Sequence, residues 1–138
     1  MEKRRLLGII DMLTVIVMEI LPVGVRMVFS NGVDETVHMR SYFSLLPFGY
    51  GLIQPLIVSL ISVFLLVLWI CGMVFEAEAG FYRFLTILSG ASVMIWLTQA
   101  FVGFSGLTFT GVLINLLLIA ATVLSAHEVK VVRRQYEA

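Results

Sequence analysis

The chain has 138 residues, of which 60% are hydrophobic and 13% are charged, and its formal net charge is zero. Soluble domains are about 45–50% apolar and about 25% charged, so this composition excludes an ordinary soluble protein. A net charge of zero gives no global attraction to nucleic acid, and we expect no nucleic-acid partner. The composition predicts a multi-pass protein of the plasma membrane, with the lipid bilayer as its solvent.

The first apolar segment runs from Leu6 to Phe29 and follows the basic sequence Lys3-Arg4-Arg5. It exceeds the roughly 20 residues that a membrane span needs. Asp11 and Glu19 interrupt it and no small-residue cleavage site follows, which favours an uncleaved first transmembrane helix over a signal peptide. Pro22 is expected to kink this helix.

Residues 30–51 form the predicted outer loop, which opens with the turn signal Ser30-Asn31-Gly32. Its second half is aromatic and is broken by proline and glycine. Aromatic side chains of this kind suit the headgroup layer of a membrane. Two interpretations stay open, a segment lying at the interface and a partner-docking surface, and both use Tyr42, Phe43, Phe48 and Tyr50.

The second helix is predicted over residues 52–75, followed by a short connecting loop over residues 76–83. Residues 84–127 then contain no charged side chain over 44 positions. One helix of that length would extend about 66 Å at 1.5 Å per residue, about twice the hydrocarbon thickness. This run is therefore predicted to fold back at Gly103–Gly106, with helices over residues 84–102 and 107–126.

These segments predict an all-α membrane protein, a single domain built as a four-transmembrane-helix bundle. Four spans place both termini on one side of the membrane. Lys and Arg residues concentrate on that side, so the positive-inside rule predicts that both termini are cytoplasmic. The basic residues on this side are Lys3, Arg4, Arg5, Arg83, Lys130, Arg133 and Arg134.

Small and polar residues recur along the predicted helices, where packing and interhelical hydrogen bonds replace hydrophobic burial as the force that joins helices in lipid. Asn115 lies deep in the fourth helix, and its amide is expected to find an interhelical partner because an unpaired amide there costs several kcal/mol. The same role is predicted for Gln99, Thr122, Ser59 and Ser62.

Three ionisable residues of the first helix, Asp11, Glu19 and Arg26, fall within about 80° of one another at 100° per residue. Charges at membrane depth are costly, so this side is expected to face the bundle interior. Glu19 and Arg26 form a structural pair in one interpretation. In the other, Glu19 carries a proton or recognises a cation. Asp11 lies close enough to the helix start to reach the headgroups or nearby basic residues.

In topology, and in the acidic residue of its first helix, the chain resembles small multidrug resistance transporters. That resemblance implies that Glu19 is the proton and cation site shared within a homodimer. The chain lacks the Pro-x-Gly-x-Ala-Tyr-Ala-x-Trp run and the Gly-Val-Gly packing motif of those transporters. It also adds Arg26 on the same helix face and has a longer first loop.

No catalytic motif is present, and His38 and His127 have no partner at metal-ligand spacing. We therefore expect no enzyme activity, no metal and no cofactor. The sequence favours a non-enzymatic accessory or structural subunit that forms a homo-oligomer or packs with other membrane proteins. The alternative is a small proton- or cation-coupled transporter that works as a homo-oligomer through Glu19.

Overall fold

A computed structural model describes residues 2–30, 32, 34–44, 53–75, 77–102 and 108–137. Two helical regions flank a β-hairpin along this part of the chain. In order, the elements are α1 (Glu2–Ile20), β1 (Val25–Ser30), β2 (Glu35–Arg40), α2 (Gln54–Val74), α3 (Ala79–Val102) and α4 (Phe109–Glu137).

The first helix is shorter than predicted, because α1 ends at Ile20 and not at Phe29. Pro22 does not kink a continuous helix. It lies two residues beyond the end of α1, where its missing N–H and fixed φ oppose further helix. Glycine at position 24 and the β-branched and aromatic residues that follow favour an extended chain. Arg26 consequently lies on a strand, and the prediction that it shares a helix face with Glu19 is wrong.

The segment expected to be a loop contains β2, which pairs with β1 in an antiparallel hairpin. Val25 lies opposite Arg40 and Ser30 lies opposite Glu35. Gly32 in the connection has φ of +81°, a left-handed conformation that glycine adopts readily. Most of residues 25–40 therefore form a two-stranded sheet. Successive residues of each strand point to opposite faces of this sheet.

The remaining helices fit the predicted order but differ in length. Helix α2 begins two residues later than expected, with Pro55 in its first turn, where the missing N–H costs little. Helix α3 begins at Ala79, so Arg83 lies on this helix and not in a connecting loop. Helix α4 continues to Glu137 through the polar tail. Gly103–Gly106, the predicted turn, lies outside the described residues.

The four helices pack around a common interior in which α1 contacts α2 and α4, and α3 contacts the same two helices. The uncharged run over residues 84–127 folds back as predicted, since α3 and α4 lie side by side. Within the described part of the chain, three helices have the length and apolar composition to cross a membrane. They are Gln54–Val74, Ala79–Thr98 and Phe109–Tyr136. Helix α1, which carries charges at both ends and in its middle, is not among them.

The outward faces of the helices are apolar, including that of α1. Leu13 and Val17 of α1 are 48% and 59% exposed, and Ile87 of α3 is 71% exposed. Contiguous apolar surface of this kind is rare on soluble monomers and is typical of contact with lipid or protein.

Close approach of α1 to α2 depends on Gly8. A Cβ atom at this position would lie 2.8 Å from three ring atoms of Trp69, closer than real Cβ contacts. The indole is buried and also contacts the Tyr82 ring, at a centroid distance of 6.0 Å. The tryptophan therefore has little room to move away from a larger residue at position 8.

We expect Gly8→Ala to lower the thermal unfolding midpoint in detergent micelles, because overpacking of this kind costs about 1–3 kcal/mol. Gly80→Ala is the matched control, since no atom lies within 4 Å of a Cβ built at that helical position. The control should be neutral or slightly stabilising, because alanine favours helix over glycine. Equal midpoints for the two variants would show that the α1–α2 contact is not tight.

Candidate functional site

At the end of the bundle that holds both chain termini, Arg5 joins all four helices. Its Nε lies 3.7 Å from Oε2 of Glu128 on α4, and its Nη1 donates a 3.2 Å hydrogen bond to the Gly72 carbonyl on α2. Its guanidinium carbon also lies 5.4 Å from the centre of the Tyr82 ring on α3. Arg5 and Glu128 are both buried, so each charge depends on the other for compensation.

Two further contacts tighten this end. The Tyr82 hydroxyl donates to the same Gly72 carbonyl at 3.1 Å, so one carbonyl accepts from both α1 and α3. Nη1 of Arg4 lies 3.2 Å from Nδ1 of His127. We call the set Arg5, Gly72, Tyr82 and Glu128 the terminal lock.

At the opposite end, Tyr42 inserts into the bundle from the chain that follows β2. Its phenol lies where two glycines leave space, since a Cβ at Gly24 would be 2.7 Å from its ring and a Cβ at Gly111 would be 3.1 Å from its hydroxyl. Trp96 Nε1 donates a 2.9 Å hydrogen bond to the Tyr42 hydroxyl oxygen. Burial raises the pKa of Tyr42 well above its ordinary value, so the phenol stays neutral.

The backbone at this end is also connected across elements. The Tyr42 N–H donates to the Glu19 carbonyl at 2.9 Å and so satisfies one of the free carbonyls at the end of α1. The Thr108 hydroxyl donates to the Gly24 carbonyl at 2.7 Å. Tyr42 was predicted to lie at the membrane surface, but it is 1% exposed because these contacts draw it inward.

Between the two ends lies Glu19, which is fully buried in the last turn of α1. Its Oε1 lies 2.8 Å from the Ser62 hydroxyl, which also lies 3.0 Å from the Val58 carbonyl. Its Oε2 has no hydrogen-bond partner among the described residues. Ser62 is eight residues from the start of α2 and twelve from its end, so the carboxyl lies near the middle of that helix.

Two more buried polar groups lie on α3 and α4. Ser92 is four residues before Trp96 on α3, and Asn115 is four residues after Gly111 on α4. Within the part of the chain that the structure describes, the buried Ser92 Oγ and Asn115 Oδ1 have no hydrogen-bond partner. That the Asn115 amide has an interhelical partner stays a prediction. We call Glu19, Ser62, Ser92 and Asn115 the interior polar site.

The structure separates the three ionisable residues that the sequence placed on one helix face. Arg26 is exposed on β1, opposite Met39, and forms no ion pair with Glu19 within the described residues. Asp11 is half-buried on α1, and its buried Oδ2 has no hydrogen-bond partner in the described ranges. Glu19 therefore depends on Ser62, not on Arg26. It faces its own four helices, whereas the transporter resemblance implies a site shared with a second copy.

Among the other polar residues of the helices, some side chains bond within their own helix and some bond to a neighbouring helix. Ser59 and Thr122 donate to carbonyls of their own helices, at 2.9 Å and 2.8 Å. The bond that crosses between α3 and α4 runs from Thr86 to Ser125, at 3.0 Å. Gln99 lies on α3, and its side chain is outside the described part of the chain.

A second candidate surface is the hairpin face that points away from the bundle. Val25 and Met27 of β1 are buried on the inner face. The outer face presents apolar side chains that are 39–49% exposed, with charged residues at both ends of the strip. We call this the outer hairpin face, formed by Arg26, Val28, Glu35, Val37 and Met39. Phe43 is half-buried, and Phe48 and Tyr50 lie outside the described residues.

The sequence contained signals for some of these residues. An acidic residue at position 128 amid a basic tail, and an arginine next to the first apolar run, are both expected to seek a partner. Tyr42 had no such signal, because the glycines that admit it lie far away in the chain. No group of three His, Cys, Asp or Glu residues that would suit a metal ion occurs among the described residues. Comparisons with protein-family models, curated proteins and solved structures find no match to this chain.

The terminal lock can be tested with a double-mutant cycle. Arg5→Leu and Glu128→Leu should each destabilise the bundle, by about 3–5 kcal/mol, because each leaves a buried charge without its partner. The double variant should recover much of this loss, measured as the thermal midpoint in micelles. Arg26→Leu is the control and should have little effect, since Arg26 is exposed. Additive losses in the double variant would show that the two charges are not coupled.

Proposed function

We propose that this protein is a four-helix integral protein of the plasma membrane, with both termini in the cytoplasm. Three apolar helices support the membrane assignment, and the exposed apolar face of α1 supports a fourth span. The terminal lock supports placing both ends of the chain on one side. Basic residues cluster at that end and, by the positive-inside rule, favour the cytoplasm.

We further propose that it is a non-enzymatic accessory subunit that binds a partner membrane protein through the outer hairpin face. The observation that carries this proposal is the exposure of Val28, Val37 and Met39 on the hairpin between α1 and α2. Lipid covers apolar residues on helix flanks, but it does not cover them on a hairpin outside the bilayer. An apolar strip bounded by Arg26 and Glu35 has the anatomy of a protein interface, with an apolar centre and a polar rim.

The contacts of Tyr42, which attach the hairpin to the helices, support the same function. Tyr42 fixes the end of β2 to three helices, so the face is held in place before a partner arrives. Surfaces that are already ordered bind with a smaller entropic cost. A rigid outer face on a small bundle suits a subunit that recognises another protein.

Proton- or cation-coupled transport is the second candidate. It is favoured by one observation, the unpartnered Oε2 of the fully buried Glu19. An acidic group inside a membrane bundle is a functional candidate by default.

The topology is tested by cysteine labelling of intact cells in a Cys71→Ala background. A cysteine at His38 of β2 should react with a membrane-impermeant maleimide added from outside. A cysteine at exposed Arg134 near the end of α4 should react only after the cells are permeabilised. Labelling of both positions in intact cells would contradict the proposed orientation.

The docking face is tested by site-specific photocrosslinking in native membranes. A photoreactive residue at Val37 should give a discrete adduct with one protein, because Val37 is on the outer hairpin face. The adjacent Thr36 is the matched control, since it is also exposed but points to the other face of the hairpin. Val28→Ser should weaken the adduct formed from Val37. Equal adducts from both positions, or none from Val37, would contradict the docking function.

The two candidates are separated by Glu19→Gln. Under the accessory function, the variant should keep the Val37 adduct. Under the transport function, it should abolish substrate-coupled proton flux in liposomes that contain a pH-sensitive dye.

A further inference from the structure

An apolar groove lies between α3 and α4, near the end of the bundle that holds both chain termini. Its volume is about 310 Å³, at the lower end of the range for small-molecule sites. We call it the α3–α4 groove, lined by Arg83, Thr86, Ile87, Ala126, Val129 and Lys130. The groove opens on the flank of the bundle, because Arg83, Ile87 and Lys130 are exposed. It shares no residue with the interior polar site or the outer hairpin face.

Cationic and apolar side chains follow one another in a fixed order along this groove. Arg83 and Lys130 lie near the level of the terminal lock, one residue after its member on α3 and two residues after its member on α4. Because α3 and α4 run in opposite directions, Ile87 lies one turn deeper than Arg83, and Ala126 lies one turn deeper than Lys130. One turn is about 6 Å of rise for four residues. The groove therefore has a positive rim at the end of the bundle and an apolar wall toward its middle.

The positive charge of the rim is not balanced by an acidic side chain in the described part of the chain. Neither Arg83 nor Lys130 forms an ion pair with a described residue. Glu128 is the acid closest to Lys130 in the chain, but it is buried against Arg5. Glu78 precedes α3 and is exposed to solvent. The rim is thus complementary to a ligand that carries a negative charge.

We propose that the α3–α4 groove binds one anionic phospholipid of the surrounding membrane. Arg83 and Lys130 hold its phosphate, and an acyl chain lies along Ile87, Ala126 and Val129. Phosphate followed by hydrocarbon, from the membrane surface inward, matches the order of cationic and apolar residues in the groove. Basic pockets between transmembrane helices recognise lipid headgroups in the same way. The site rests on the proposed membrane assignment, and it is independent of the orientation of the termini and of the docking function.

A phospholipid fits this groove better than an acidic protein segment or a free phosphate ion. Between the two cations the wall is apolar apart from Thr86, whose hydroxyl hydrogen bonds within the bundle, to the Tyr82 carbonyl or the Ser125 hydroxyl. A peptide would bring backbone N–H and C=O groups that such a wall cannot pair. A phosphate ion would leave the apolar wall uncovered. A hydrocarbon chain joined to a phosphate satisfies both parts of the groove.

Binding is measured by native mass spectrometry of the full chain, purified in a neutral detergent and titrated with dioleoyl phosphatidylglycerol. We expect a single retained lipid per chain. Dioleoyl phosphatidylcholine has the same chains but no net charge, and it should bind at least about tenfold more weakly. Inorganic phosphate should not displace the bound lipid. Phosphatidylglycerol should also raise the thermal midpoint in a saturable manner, because it binds the folded bundle.

The rim is tested by removing one charge at a time. Arg83→Gln and Lys130→Gln should each weaken phosphatidylglycerol binding about fivefold, because a basic side chain near an anionic lipid contributes about 1 kcal/mol. Arg134→Gln is the matched control. Arg134 is also exposed on α4, one turn beyond Lys130, but it does not line the groove. Its removal should leave the affinity unchanged.

The apolar wall is tested by filling it. Ala126→Phe places a ring in the groove and should weaken phosphatidylglycerol binding without changing any charge. Val123→Phe is its control, since Val123 is 63% exposed on the same helix and lies outside the groove. A photoreactive residue at Ile87 in native membranes should give a lipid adduct.

Several outcomes would overturn this proposal. Equal binding of the two lipids, or equal losses from Lys130→Gln and Arg134→Gln, would mean that the basic residues attract lipid without forming a site. Displacement by inorganic phosphate would mean that the groove binds phosphate alone. A protein adduct in place of a lipid adduct from Ile87 would mean that a protein covers the groove. If Ala126→Phe does not fold, the variants of the exposed basic residues still decide.

Alkaline carbonate extraction of native membranes tests the membrane assignment separately. A chain that stays with the membrane but retains no phosphatidylglycerol would contradict the lipid site alone. A chain that carbonate releases would contradict the membrane assignment on which the site rests.

Discussion

The insertion of Tyr42 between Gly24 and Gly111 is the contact on which the outer half of this protein depends. Its backbone N–H satisfies the end of α1, its ring occupies the gap beside α4, and its hydroxyl accepts a bond from Trp96 on α3. One residue, just after the end of the hairpin, therefore contacts α1, α3 and α4. A Cβ atom at Gly24 would overlap the ring, and one at Gly111 would crowd its hydroxyl.

Different contacts hold the helices together at the two ends of the bundle. In lipid, apolar burial does not hold helices together, so packing and polar contacts must do so. At the terminal lock, a charge pair and a shared carbonyl connect four helices, close to the basic residues at the start of α1 and the end of α4. At the other end, a neutral phenol and an indole suffice. The interior polar site lies between these closures, and three of its oxygens have no hydrogen-bond partner among the described residues.

Composition and run length predicted the helices well, because a stretch of 44 uncharged residues has few alternatives in a membrane. The cost of a buried charge also predicted that Glu19 faces inward. The hairpin was missed because residues 25–30 continue an apolar run, and periodicity alone cannot tell a buried strand from a helix. Tyr42 and the partner of Arg5 depend on residues that are distant in sequence, which local patterns do not encode.

Tyr42 also connects the two surfaces for which functions are proposed. It ends the hairpin that presents the outer face, and it contacts the backbone of Glu19 directly. A proton or cation that binds Glu19 acts on the last turn of α1, and a partner that holds the hairpin acts on the residue bonded to that turn. Binding at the two sites is then linked through one hydrogen-bonded segment. Any influence of the cation on partner affinity must equal the influence of the partner on cation affinity, since coupling between sites is reciprocal.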